Sequence, residues 1–412
     1  MSGVTFSQHA PHHAFDVIDD CLQIGGQSLL QLTAQIGRTP YYAYDRAVMT
    51  RTVQRLRQAL PQSLHLHYAI KANPMPAVVK HLAGMVDGLD VASAGELRLA
   101  LITGMDPKRI SFAGPGKTDA ELALAVESGV TINIESEREL RVLTAVAKST
   151  GRRPQVAVRV NPDFELKASG MKMGGGPKQF GVDAERVPEM LADMASLPVD
   201  FLGFHIFSGS QNLRPEAIVE AQQKTAALAK RLAQSAPGPV RVLNIGGGFG
   251  IPYFPGEQPL DLKPIAENLT ALIAEVHSAM PEAQVVIELG RYLVGESGIY
   301  VCQVIDRKIS RGQVFLVTDG GLHHHLAASG NFGQVIRKNY PVLVGNHVVG
   351  KQRETVSVVG PLCTPLDLLA DRMEMARAEV GDLIVVLQSG AYGLTASPLG
   401  FLSHPVPVEQ IV

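Results

Sequence analysis

A lysine that directly follows a strand-like run is the first candidate catalytic residue in the sequence. Lys71 follows the apolar run Leu64–Ile70. At the end of a buried strand an amine is desolvated, which lowers its pKa and makes it a competent nucleophile towards a carbonyl carbon. The alternative is a surface lysine whose stem lies along the protein and whose ammonium reaches water. Strand position alone supports both interpretations equally.

Two further strand ends carry groups that would suit a phosphorylated pyridine ring. The triplet Gly246–Gly248 follows the run Val240–Ile245, where barrels expose backbone N–H groups to phosphate, although a flexible turn is the alternative. Glu288 follows the run Val285–Ile287 and could hold a pyridine nitrogen protonated, or could pair with Arg291. An amine, a phosphate site and an acid together fit one molecule of pyridoxal 5'-phosphate (PLP).

The elements that must position these residues form a repeated pattern. Short apolar or β-branched runs alternate with segments of helical period, for example Asp119–Glu127, Ser136–Ala147 and Pro215–Ala233. Eight such repeats predict an α/β fold, a (β/α)8 TIM barrel, which we place at residues 41–290. The eight runs are Leu64–Ile70, Leu89–Ala92, Ile110–Ala113, Thr131–Ile134, Val156–Val160, Phe201–Ile206, Val240–Ile245 and Val285–Ile287.

The chain changes character after Arg291. Runs such as GIYVCQVIDRKI and DLIVVLQ are separated by Gly, Asn or Asp turns, which predicts a β-rich, barrel- or sandwich-like domain at residues 291–412. We expect the N-terminal segment 1–40 to pack with that domain. The stretches Asp163–Gly181 and His323–Gly333 are too rich in glycine for regular elements, and loops of this kind often border active sites.

Composition and cysteine usage exclude several classes of partner. A formal net charge of -2 gives no basic excess for binding nucleic acid. The sequence contains no cationic leader followed by an apolar stretch and no apolar run of about 18 residues, so we expect no membrane contact and a cytoplasmic location. Cys21, Cys302 and Cys363 are widely spaced, which suggests neither a disulfide framework nor a zinc site.

The histidines do not predict a metal site either. His323, His324 and His325 are adjacent, and successive side chains of an extended segment point apart, so they rarely share one ion. We expect this segment to be a substrate-pocket or structural loop. His205 lies at the end of a predicted strand, where we expect a hydrogen-bonded structural histidine rather than a general base.

Ten motifs carry a family resemblance that covers nearly the whole chain. The chain resembles the ornithine/diaminopimelate/arginine decarboxylase family, PLP enzymes with the alanine racemase-type fold. The resemblance implies a carboxy-lyase that removes CO2 from an amino acid through an external aldimine and a carbanion, and then protonates the same carbon. The motifs are HYAIKANP around Lys71, DVASAGEL from Asp90, FAGPGKT from Phe112, NIESEREL from Asn133, VRVNPD from Val158, GFHIFSGSQ from Gly203, NIGGGFG from Asn244, ELGRYLV from Glu288, GPLCTPLD from Gly360 and GAYG from Gly390.

The resemblance also implies roles for the matching residues. Lys71 would carry PLP as a Schiff base, Glu288 would contact the pyridine nitrogen, and Cys363 would protonate the substrate carbon. Cys363 and Tyr392 would reach the site from the partner subunit, which implies an obligate homodimer. The other implied cofactor-binding positions are Asp90, Arg159, Phe207, Ser210, Gly246, Gly247, Gly248, Arg291 and Tyr392.

Three departures from the family pattern concern the substrate. Phe207 stands where the family usually has a histidine stacked on the cofactor ring, and Thr364 stands where enzymes for diamino acids usually have an acid. No arginine follows Asp319-Gly320 to receive a distal carboxylate. The chain is most similar to the exosortase-associated subgroup, and we expect an amino acid that is bound to a carrier or otherwise modified. Arg291, His324, Thr364 and Tyr392 are the expected substrate contacts.

Alternative functions remain within the same fold. They are a diaminopimelate decarboxylase that makes lysine, an amino-acid racemase, and a homologue that binds PLP without turnover. The YAIKAN and GPLC motifs resemble decarboxylases rather than racemases, and the retained Lys71, Glu288 and Cys363 argue against loss of turnover.

Overall fold

The computed structural model describes residues 8–165, 171–172, 174–334 and 337–412. The chain divides into two compact units. One comprises Thr52–Gly250 and Leu260–Tyr292, and the other comprises the described residues up to Arg51 together with Ile251–Pro259 and Leu293–Val412. Within the described residues, no helix combines the length and the apolar character that crossing a membrane requires.

The first unit is a closed parallel barrel, which confirms the predicted (β/α)8 fold. Each strand pairs in parallel with the next along the chain, and the pairing of the last strand with the first closes the barrel. The strands are β1 (His65–Ala69), β2 (Gly88–Val91), β3 (Ile110–Phe112), β4 (Thr131–Ile134), β5 (Gln155–Asn161), β6 (Asp200–Ile206), β7 (Val242–Gly247) and β8 (Gln284–Leu289).

Helices follow the strands, and their ends are set by local sequence. Thr118 and Glu121 form a capping box at the start of the third helix, and Gly129 ends it in the left-handed conformation with φ +72°. The helices are α1 (Pro76–Ala83), α2 (Ala94–Ile102), α3 (Asp119–Ser128), α4 (Glu137–Thr150), α5 (Val187–Met194), α6 (Pro215–Ala233) and α7 (Lys263–Ala279). Two short strands, Gly209–Ser210 and Met171–Lys172, pair with each other, and Val182–Asp183 pairs with β5.

The second unit is rich in β-structure, as predicted for the C-terminal part of the chain. Its longest strand, Gly298–Ser310, pairs with Tyr41–Tyr44, Gln313–Thr318 and Leu383–Val386. The other strands are Val17–Ile18, Cys21–Ile24, Gln27–Ser28, Val342–Val344, Arg353–Val359, Leu368–Ala376 and Val408–Ile411. Its helix is Leu29–Ile36, while Arg46–Ala59 crosses the division at Arg51 and the short Arg291–Val294 crosses the division at Tyr292.

The N-terminal residues belong to the core of the β-rich unit. Leu22 and Leu29 pack in one buried cluster with Ile299 and Val385. The strand Tyr41–Tyr44 lies in the same sheet, so this unit extends further along the chain than our boundary at residue 41. The physical reason is that an early strand finds its hydrogen-bonding partners about 250 residues later, which local sequence patterns do not reveal.

Candidate active site

Each barrel strand places a buried or largely buried polar side chain in the barrel interior. This is unusual, because branched apolar side chains normally fill such barrels. Contacts across strands join several of them, such as Asn133 Nδ2 donating to Ser111 Oγ over 2.6 Å. The polar layer consists of His67, Asp90, Ser111, Asn133, Arg159, His205, Asn244 and Glu288.

Lys71 lies just beyond this layer. Strand β1 ends at Ala69, and Lys71 is the middle residue of the short 3-10 turn Ile70–Ala72. Its side chain is exposed, which agrees with the surface-lysine interpretation, one of the two that strand position left open. The strand stops before the lysine, and the turn carries the side chain out to the surface. The Lys71 Nζ atom lies 5.9 Å from the centroid of the Phe207 ring.

Phe207 and the glycine triplet pack directly against each other. A Cβ on Gly246, which has φ +70°, would stand 2.6 Å from Phe207 Cδ2. A Cβ on Gly248, with φ +73°, would stand 2.2 Å from Gly209 O. Only glycine fits this close approach, which leaves the backbone of the triplet uncovered by its own side chains. Ser210 follows Gly209 and is half-buried.

Glu288 is held at the end of β8 by neighbours from two other strands. Its Oε2 accepts a hydrogen bond from Asn244 Nδ2 over 3.2 Å and lies 3.3 Å from His205 Nε2. Burial alone would raise the pKa of this carboxyl group, but His205, Lys71 and Arg159 together outweigh burial, and the pKa lies well below its usual range. Glu288 is therefore an ionised carboxylate inside the barrel.

Two side chains of the polar layer have unsatisfied polar atoms. Asp90 Oδ1 lies 3.4 Å from His67 Nδ1, whereas Asp90 Oδ2 has no hydrogen-bond partner among the described residues. Both ring nitrogens of His205 also lack a partner in hydrogen-bond geometry among the described residues, so the expected hydrogen bonds of this histidine are not formed, although its Nε2 lies 3.3 Å from Glu288 Oε2. Buried polar atoms are normally paired, and groups like these indicate a polar ligand in the barrel mouth.

Arg159 belongs to a buried group of four charges that the sequence analysis did not predict. Arg159 Nη1 donates to Glu135 Oε1 over 2.8 Å, and Lys117 Nζ contacts both Glu139 oxygens at 3.0 and 3.1 Å. Burial lowers the pKa of Lys117 and raises that of Glu139, while Arg159 and Lys117 overcome burial to lower the pKa of Glu135. The signal that could have found the group is the set of charged residues at the ends of neighbouring strands, within FAGPGKT, NIESEREL and VRVNPD.

Cys363 lies on a well-anchored loop of the β-rich unit. Its side chain is exposed. Asp367, four residues later, is buried, and its two carboxylate oxygens accept the backbone N–H groups of Leu322 and Leu362 over 2.6 and 2.8 Å. Thr364 follows the thiol and is half-buried, with its own backbone N–H donated to Leu362 O. The loop therefore presents a thiol to solvent from a fixed backbone.

The remaining expected residues occupy separate places. Arg291 is half-buried at the start of the short helix after β8. Tyr392, in the β-rich unit, is half-buried with φ +53°, and its ring centroid lies 6.3 Å from that of Phe332. The structure thus brings Lys71, Phe207, the glycine triplet and Glu288 together in the barrel, while Cys363, Thr364 and Tyr392 belong to the other unit.

The three adjacent histidines are buried inside the β-rich unit. His324 Nε2 lies 3.0 Å from Pro405 O, and its Nδ1 lies 3.3 Å from the Tyr300 hydroxyl. Burial lowers the pKa of His323 to about 4 and those of His324 and His325 to about 3. No group of three metal-ligating side chains occurs in the described parts of the chain. The environment favours the structural-loop interpretation over a substrate role for His324.

The chain matches the family described as pyridoxal-dependent decarboxylase, pyridoxal binding domain, over residues 46–295. One relative, the L-glutamyl-[BtrI acyl-carrier protein] decarboxylase of Niallia circulans, is 38% identical over 90% of this chain and 88% of its own. A second, the 2-[(L-alanin-3-ylcarbamoyl)methyl]-2-hydroxybutanedioate decarboxylase of Staphylococcus aureus, is 31% identical over 92% and 95%. The diaminopimelate decarboxylase of Helicobacter pylori complexed with L-lysine has a similar fold, with a TM-score of 0.82, 27% identity and coverage of 93% and 94%.

The chain therefore belongs to the PLP-dependent ornithine/diaminopimelate/arginine decarboxylase family. It is a carboxy-lyase that uses PLP to decarboxylate an amino acid, free or tethered to a carrier. The barrel residues fit the cofactor, because an exposed amine, an uncovered glycine backbone, an ionised carboxylate and unpaired polar atoms occur at one end of one barrel. PLP, when bound, would supply the electron sink that accepts the electron pair left by CO2.

Proposed function

We propose that this decarboxylase acts at the α-carbon of an aminoacyl group whose distal end is modified or attached to a carrier protein. The observation that carries the proposal is the Cys363 loop. In residues 360–367 the only acid is Asp367, and both of its oxygens are already used by backbone N–H groups. A free distal ammonium would find no carboxylate partner in this loop, and sites discriminate strongly against a charge that they leave unpaired.

A distal carboxylate would lack a partner as well. Residues 320–334 contain no arginine. The next arginine, Arg337, donates to Ser329 O, Asn339 Oδ1 and Leu368 O over 3.1, 2.6 and 2.9 Å, so its guanidinium is committed to the loops of its own unit. Diaminopimelate has both charges at its distal end, and these two segments supply a partner for neither. The carrier-bound substrate of the Niallia circulans relative supports the same conclusion.

The residues of the barrel suggest how the reaction is supported. Lys71 would hold the cofactor through its Nζ, the backbone N–H groups of Gly246–Gly248 would bind the phosphate, and Phe207 would face the ring. Glu288 would keep the pyridine nitrogen protonated, and Asp90, Arg159, Ser210 and Arg291 would complete the cofactor contacts. These assignments rest on the placement of the side chains around the polar layer and on the family motifs.

We further propose a homodimer in which Cys363 of the partner subunit protonates the substrate carbon and the partner's Tyr392 contacts cofactor and substrate. The exposed thiol on an anchored loop supports this role. Mixing Lys71→Ala with Cys363→Ala subunits tests it, because half of the mixed dimers' sites would be intact and about a quarter of wild-type activity would return. Two variants that stay inactive after verified subunit exchange would contradict the shared site. A cytoplasmic location and the exosortase association remain predictions.

The substrate is tested by CO2 release from the PLP-loaded protein. The panel contains free diaminopimelate, ornithine, lysine, arginine and glutamate, and the same aminoacyl groups loaded on a phosphopantetheinylated carrier protein. We expect turnover of a carrier-bound or distally amidated substrate that is lost in Lys71→Ala, and at least about 100-fold slower turnover of the free amino acids, since an unpaired buried charge costs several kcal/mol. Rapid turnover of free diaminopimelate would overturn the proposal and assign the diaminopimelate decarboxylase activity instead.

A further inference from the structure

In the part of the chain that the structure describes, side-chain donors hold Glu288 through its Oε2 atom. Asn244 Nδ2 donates to Oε2 over 3.2 Å, and His205 Nε2 lies 3.3 Å from the same atom. Asn244 in turn accepts the backbone N–H of Gly246 at its Oδ1 over 2.8 Å. One amide therefore links the carboxylate to the first glycine of the triplet, and His205 is the second side chain on that oxygen.

His205 is buried and unsatisfied. Its side chain is 3% exposed, and neither ring nitrogen has a hydrogen-bond partner among the described residues. It stands in register with Arg159 on one side and Asn244 on the other, so all three side chains share the inner face of the barrel. A buried ring nitrogen that is not hydrogen-bonded is costly, and the Nε2 of His205 lies within reach of a carboxylate oxygen that one further donor would fix.

We propose that His205 is a positioning residue, which donates its Nε2–H to Glu288 Oε2 and so would fix the orientation of the carboxylate that accepts the pyridine N–H of the cofactor. The inference deepens the proposed function, because it rests on the contact between Glu288 and the pyridine nitrogen. With Asn244 as the only donor, the carboxylate could rotate about that single hydrogen bond. With His205 as well, donors from β6 and β7 hold it from two directions, and the hydrogen bond to the pyridine can form without reorganisation.

The test uses holoenzyme reconstituted with PLP labelled with 15N at the pyridine nitrogen. An amide side chain at residue 205 can replace one imidazole nitrogen at a time. The Nε2 atom of a glutamine takes the position of the imidazole Nε2, and the Nδ2 atom of an asparagine takes the position of the imidazole Nδ1. We expect the 15N resonance of His205→Gln to remain at the position of a protonated pyridine. In His205→Asn and His205→Leu it should move towards the unprotonated position, and the Kd for PLP should rise about ten-fold, as for one lost hydrogen bond to a charged group.

A matched control separates positioning from general loss of a buried polar group. Asn133→Leu removes a buried amide that contacts Ser111 and not Glu288. It should lower the thermal midpoint and leave the 15N resonance unchanged. Wild-type resonance and PLP affinity in both His205→Asn and His205→Leu, or equal changes in Asn133→Leu, would overturn the assignment. No substrate enters this measurement, so turnover of a free amino acid would refute the carrier proposal without affecting this result.

Discussion

Removing the ammonium of Lys117 should destabilise the barrel far more than removing a lysine from a surface ion pair. The Lys117 and Glu139 side chains are 1% and 2% exposed, and the amine also donates to Gly114 O over 2.7 Å. Lys117→Met would leave the Glu139 carboxylate buried with one remaining hydrogen bond, from the Glu135 backbone N–H. Leaving one charge of a buried pair uncompensated costs about 3–5 kcal/mol.

The same substitution in an exposed pair provides the control. Lys224 and Glu220 are one turn apart on α6, 2.6 Å from each other, with side chains 41% and 52% exposed. Lys224→Met should cost less than about 1 kcal/mol, because water screens the pair. The measurement is the free energy of unfolding in urea, followed by circular dichroism for the wild type and for each variant.

The double variant Lys117→Met/Glu139→Leu distinguishes an ion pair from simple loss of packing. Once both charges are absent, no buried charge remains uncompensated, so the double variant should be more stable than Lys117→Met alone. Equal stability losses for Lys117→Met and Lys224→Met would refute the reasoning, as would a double variant that is less stable than Lys117→Met.

Three further predictions concern the glycine triplet, the histidine loop and substrate choice. Gly248→Ala should weaken PLP binding at least about ten-fold in a fluorescence titration, because its Cβ would meet Gly209 O at 2.2 Å; unchanged affinity would exclude a crowded phosphate site. The free energy of unfolding should fall as the pH drops below 6.5, by up to about 1.4 kcal/mol per pH unit for each of His323, His324 and His325, because only the unfolded state protonates these histidines until the pH reaches 4 to 3. Thermal midpoints of the wild type and His325→Gln, measured across this pH range, check the slope. Parallel curves of thermal midpoint against pH for the two proteins would contradict the prediction. Thr364→Glu should raise kcat/KM for free lysine relative to wild type, and CO2 release that stays unchanged would argue against Thr364 as a substrate contact.

The barrel could be predicted from the sequence because its strands are local signals. The ends of every predicted strand lie within two residues of the ends of a barrel strand, and the predicted strand Thr131–Ile134 matches its strand at both ends. The predicted helix Pro215–Ala233 likewise matches its helix at both ends. A short β-branched run bounded by turns is recognisable without its partners. The strand Tyr41–Tyr44 was assigned to the barrel segment because its partners in the β-rich sheet lie far along the chain.

The site was predicted less completely than the fold. The motifs indicated Lys71, Phe207, the glycine triplet and Glu288, and the structure brings them to one end of the barrel. The sequence left the exposure of Lys71 open, because it does not show that β1 ends at Ala69 and that a 3-10 turn follows. The Lys117 group was missed because its ion pairs join residues 22 and 24 positions apart, which meet only when neighbouring strands align.

The pairing of Tyr41–Tyr44 imposes an order on biosynthesis. Its partners in the sheet are Gly298–Val301 on one side and Val408–Ile411 on the other. A ribosome adding about 5–20 residues per second needs roughly ten to fifty seconds to reach the nearer partner. During that interval the barrel segment emerges and can fold, while the tyrosine-rich strand has no neighbour. The nascent chain therefore carries this strand with its backbone N–H and C=O groups unpaired by their native partners until the barrel segment has been made.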